Sequence, residues 1–183
     1  MKLFKLLPIV LLVAVVSACK DDIPAVEYKS QGFIQGTIDA TASDDETDID
    51  ETFKYTQYQQ TITYGEAYTG YELNDDGSIE VVIFRQDLAN GGYVYMGFEL
   101  EDEDDTTPDD MFFQIQFFKE KKDQIIFFSM SSSSNEFDID DFTFDIETGN
   151  TTGTFSLEGS NNSTDNDADI EGSFNIKLRP IVF

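Results

Sequence analysis

The sequence has no histidine, no tryptophan and a single cysteine, and its 11 basic residues face 37 acidic ones over 183 positions. Each scarcity removes a class of chemistry. Without histidine there is no Ser-His-Asp triad, no Cys-His dyad and no His-ligated zinc site. One cysteine closes no internal disulfide and builds no thiolate cluster. A formal net charge of −26 opposes binding to phosphate backbones, whose recognition requires Lys and Arg, so nucleic acid is not an expected partner.

What is present begins at the N-terminus. Lys2 and Lys5 lead into an uninterrupted apolar run from Leu6 to Val16. That run is too short for a membrane-spanning helix, which needs roughly 20 residues. A basic start, a short apolar stretch and small residues after it describe a cleaved secretory signal peptide. The stretch ends in Val16-Ser17-Ala18-Cys19. This resembles a bacterial lipobox, and the resemblance implies that Cys19 becomes the first mature residue, carrying a diacylglycerol on its thiol and a further acyl chain such as palmitate on its amine. Two or more chains hold a protein stably at a membrane, at about 0.8 kcal/mol per buried methylene. Lys20-Asp21-Asp22 follows directly. It resembles the surface-export signal of Bacteroidota-type lipoproteins, which implies display on the outer face of the outer membrane. The expected organisation is a signal peptide at 1–18, a lipidated tether at 19–30 and one domain at 31–183.

Phe is abundant (17 residues) and Tyr adds 8, so a chain of this length has the apolar supply for one real core. From residue 31 onward, short alternating segments are separated by turn residues. Candidate strands are Gln31–Ile38, Thr52–Tyr64, Glu66–Leu73, Ser78–Gln86, Tyr93–Leu100, Met111–Glu120, Asp123–Met130, Phe137–Glu147, Thr151–Gly159 and Ala168–Arg179. Asn74-Asp75-Asp76-Gly77 reads as a hairpin turn in which Gly supplies positive φ. Asp39–Glu51, with seven acids, and Glu101–Asp110 read as acidic loops, and most of the negative charge is expected in loops and tether. Phe112-Phe113 and Phe117-Phe118 suggest a hairpin covered on both faces, at the centre of a sheet. The expected fold is all-β, an antiparallel β-sandwich or barrel of about ten strands after the cleaved signal peptide.

The segments Gly153-Thr154-Phe155-Ser156-Leu157 and Gly172-Ser173-Phe174-Asn175 resemble the end of small Bacteroidota-type outer-membrane lipoproteins of uncharacterised function. The resemblance spans about a fifth of the chain. It implies a β-rich surface lipoprotein and carries over no catalytic residue.

The remaining candidate sites lie in polar segments. Asp165, Asp167 and Asp169 alternate as at the start of a calcium loop, but an EF-hand needs Gly at its sixth position and Glu at its twelfth, where this chain has Ile170 and Ile176. Weak calcium binding at these residues, or at Asp102, Asp104, Asp105, Asp109 and Asp110, competes with a solvated loop. Asp105-Thr106-Thr107 looks like the short O-glycosylation sequon of Bacteroidota-type proteins, with Thr106 as acceptor. Tyr55, Tyr58, Tyr64, Tyr68, Tyr71, Tyr93 and Tyr95 cluster in the first half and either stack on a sugar or protein partner or sit half-buried in strands. Paired carboxylates for a glycosidase would arise by chance at this acidity, so no catalytic residue is assigned and an enzyme is not expected.

The functional expectation is an outer-membrane lipoprotein facing the cell exterior, with a non-enzymatic structural or interaction role, for example as accessory subunit of an outer-membrane complex. Its partners would be the membrane, through the N-terminal lipid, and an outer-membrane protein or glycan. The alternative is a carbohydrate- or calcium-binding accessory module of a nutrient-uptake system. A closed barrel with an apolar lumen would add carriage of a small hydrophobe.

Overall fold

A computed structural model of the chain describes residues 32–41, 48–56, 69–87, 91–118, 125–161 and 166–181. Ten strands follow one another: β1 (Gly32–Thr41), β2 (Asp48–Tyr55), β3 (Gly70–Leu73), β4 (Ile79–Gln86), β5 (Tyr93–Leu100), β6 (Asp109–Phe118), β7 (Ile125–Ser131), β8 (Glu136–Phe144), β9 (Asn150–Ser160) and β10 (Asp167–Lys177). They form two five-stranded antiparallel sheets. Sheet I has the order β2-β1-β10-β9-β8 and sheet II the order β3-β4-β5-β6-β7. The fold is therefore an all-β sandwich. The sheets do not close into a barrel, so the carrier alternative loses the lumen it requires.

Period-two alternation places the apolar residues. Ile79, Val81 and Ile83 on β4 and Val94, Met96, Phe98 and Leu100 on β5 are all 4% exposed or less and point inward. Sheet I answers with Ile34 and Ile38, Phe155 and Leu157, and Ile170, Phe174 and Ile176, all likewise buried. Aromatic rings join the layers. Phe98 meets Phe142 edge-on at 5.4 Å and Phe174 at 6.4 Å, and Phe113 meets Phe155 at 5.4 Å. Each such pair adds about 0.5–1.5 kcal/mol beyond its buried area.

The glycines of sheet I make room for these rings. A Cβ on Gly172 would lie 2.3 Å from the Phe155 ring, and one on Gly153 would lie 2.7 Å from the Phe174 ring. The Gly-Thr-Phe and Gly-Ser-Phe segments thus interlock: Gly172 is opposite Phe155 and Phe174 opposite Gly153 in the β9–β10 register.

Three expectations are corrected. Asp39–Glu51 is not one loop: β1 runs on to Thr41 and β2 begins at Asp48. Carboxylates are tolerated there because each alternates with a buried neighbour, Ala40 or Ile49. The charge is accordingly not confined to loops, since Asp39, Asp50, Glu136, Glu158, Asp169 and Glu171 all lie on strands of sheet I. The β6–β7 hairpin is not central, because β7 is the edge of sheet II. The alternation of Phe142, Phe144 and Ile146 expected from the sequence holds, Phe142 being buried and the other two packed against the core, but β8 starts on the other parity. It buries Phe137 and Ile139, then Phe142. A bulge between Asp140 and Thr143 inserts one residue, with Asp141 at φ 49, and switches the inward parity. β2 ends at Tyr55 and β3 starts at Gly70, and the remainder of the expected strands there, 57–68, lies outside the described residues.

Edges are protected by local devices. The segment after β10 crosses to sheet II, where Tyr71 and Pro180 form a parallel bridge on β3. Tyr71 N–H donates to Arg179 O at 2.9 Å and Ile181 N–H to Tyr71 O at 2.8 Å. At the opposite edge, the Asn161 amide donates from Nδ2 to Phe127 O at 2.9 Å and accepts at Oδ1 from Ser129 N–H at 3.4 Å. One side chain therefore occupies backbone groups of β7 that an added strand would use.

Candidate functional site

The sandwich offers two outer faces of opposite chemistry. On sheet I the register aligns Asp50 with Asp39, Asp39 with Asp169, Asp169 with Glu158, and Glu158 with Glu136. One row of carboxylates thus crosses all five strands. Of these, Asp39, Asp50, Asp169, Glu158 and Glu136 are exposed. The row beside it reads Thr52–Thr37–Glu171–Ser156–Asp138 and the next Lys54–Gln35–Ser173–Thr154–Asp140, and Lys54 rests over the Phe33 ring at 4.6 Å.

The outer face of sheet II carries no charge over its middle. Three adjoining rows read Gln86–Tyr93–Gln116–Phe127, then Phe84–Tyr95–Gln114–Ser129, then Val82–Gly97–Phe112–Ser131 across β4, β5, β6 and β7. All but Ser129, which is buried, are half-buried. The rings pack as pairs: Phe84 and Tyr93 are tilted at 5.8 Å, and Tyr95 meets Phe112 edge-on at 5.8 Å with 70° between planes. Gln114 Nε2 reaches Ser129 Oγ at 3.4 Å, and Gln116 Nε2 reaches Gly91 O at 3.3 Å. Burial pushes the Tyr93 hydroxyl above its ordinary pKa, so it stays protonated as a donor at neutral pH. Glutamates return only at the end of the sheet, where Glu72, Glu80 and Glu99 align. An uncharged mosaic of rings, amides and hydroxyls is suited to binding and offers no acid–base pair.

The sequence-expected residues distribute as follows. Cys19, Lys20, Asp21, Asp22 and Asp165 lie outside the described residues, as do Tyr58, Tyr64 and Tyr68. Asp167 and Asp169 are exposed neighbours on the outer face of β10, and Asp167 Oδ1 accepts from Ser160 Oγ at 3.1 Å. Among the described residues, no group of three or more Asp, Glu, Cys or His is placed to hold a metal ion. In the Glu101–Asp110 segment, Asp105 organises the chain. It accepts from Glu101 N–H at 2.9 Å, Thr107 N–H at 2.8 Å and Thr107 Oγ1 at 3.0 Å. Burial works against its charge, but these hydrogen bonds prevail and hold its carboxyl below the usual range. Thr106 is exposed beside it. Asp109 and Asp110 belong to β6.

The tyrosines divide into two groups. Tyr55 and Tyr71 are core residues, 7% and 8% exposed, with their hydroxyls on Gln116 O and Ile146 O. Tyr93 and Tyr95 are on the outer face. Sequence reasoning named those two but missed Phe84, Phe112, Phe127 and the glutamines as their neighbours. Parity along each strand carried that signal, since Tyr93 and Tyr95 alternate with the buried Val94 and Met96. What joins them into one face is the inter-strand register, which parity alone leaves open. The carboxylate row was missed for the same reason.

No protein-family model matches the chain, and no match was found among curated proteins or among solved structures.

Proposed function

We propose that this chain is an outer-membrane lipoprotein, anchored through Cys19 and facing the cell exterior, with a non-enzymatic binding role. The observation that carries the binding role is the contrast between the two outer faces of one sandwich. A face crossed by five carboxylates keeps the domain hydrated and hostile to other acidic surfaces. The outer face of sheet II is an uncharged array of half-buried rings, amides and hydroxyls on a chain of net charge −26, and the binding role is assigned to that face. Support for the anchor is the placement of the sole cysteine directly after an apolar leader and two small residues.

The test is metabolic labelling of cells with an alkyne analogue of palmitate. Label is expected in the native chain and lost in Cys19→Ser. Protease added to intact cells should then remove the domain. Absence of label in the native chain, or digestion only after the outer membrane is broken, would overturn the anchor or the outward orientation.

A further inference from the structure

We draw no further inference here: the strongest candidate, the uncharged outer face of sheet II across β4, β5, β6 and β7, belongs to the binding role already proposed, and nothing in the structure shows what covers it.

Discussion

The Tyr55 hydroxyl donates to the Gln116 carbonyl at 3.2 Å, tying β2 of sheet I to β6 of sheet II at one end of the sandwich. The same hydroxyl would lie 2.8 Å from a Cβ on Gly92, so the loop before β5 closes tightly over it. Burial, and to a lesser degree the Asp87 charge, push its pKa up to about 12 from 10. The folded protein therefore keeps the proton to higher pH than the unfolded chain. Stability from this group is complete below pH 10 and falls as pH rises from about 10 to about 12, by roughly 2 kcal/mol. Tyr55→Phe should cost about 1 kcal/mol at neutral pH and flatten the alkaline limb. Urea melts at pH 7, 9, 10 and 11 check both effects. An unchanged alkaline slope in the variant would place the titration elsewhere.

Asn161 is 2% exposed, and its side-chain amide bridges Phe127 O and Ser129 N–H on the edge of β7. Asn161→Ala should leave both backbone groups without that partner, costing about 2–3 kcal/mol. It should also open an edge that other chains can extend. Size-exclusion chromatography over a range of concentrations should then reveal dimers or larger species absent from the native protein. A variant that stays monomeric and loses under about 0.5 kcal/mol would show that the amide is dispensable.

The strand inventory was legible because the alternation is clean where one face is buried. Val94, Met96, Phe98 and Leu100 announce both β5 and its inner face. The Asn74–Gly77 turn was legible because Gly77 must take φ 98 and few other residues do so cheaply. What escaped was relational. Asp39 and Asp50 each read as loop residues, since acidity suggests solvent and says nothing of a neighbouring strand. The aromatic field was hidden in the same way: Phe112 looked like half of a doubly buried pair, and only the register of β6 against β5 sets it beside Gly97. The proposed Cys19 anchor rests on local sequence alone, whereas a face assembled from four strands has no local signature.

Among the described residues, both non-glycine residues with positive φ are aspartates at bulges, Asp110 on β6 and Asp141 on β8, and each precedes a buried side chain, Met111 or Phe142. Aspartate tolerates the left-handed region better than most residues. Asp141→Asn should change stability by no more than about 0.5 kcal/mol. Asp141→Val should cost about 1–3 kcal/mol, because a β-branched residue resists that conformation and the strain falls on the turn that sends Phe142 to Phe98. Chemical denaturation of the two variants makes the comparison. Equal effects would mean that the bulge is not set by this backbone conformation.

The carboxylate row of sheet I makes the last prediction. Like charges directly opposite on adjacent strands destabilise a sheet, by about 0.2–1 kcal/mol for each pair. Asp169 has two such neighbours, Asp39 and Glu158. Asp169→Thr removes both repulsions and introduces a residue favoured in strands, so it should raise stability by about 0.5–2 kcal/mol. Because these side chains are exposed, salt screens the repulsion over about 8–10 Å at physiological strength. The native chain should therefore melt at higher temperature as sodium chloride rises from 20 to about 500 mM, and the advantage of the variant should shrink over the same range. The two dependences test one cause. A benefit of Asp169→Thr that does not fade with salt would come from strand preference alone, and the row would then carry no electrostatic cost for the fold.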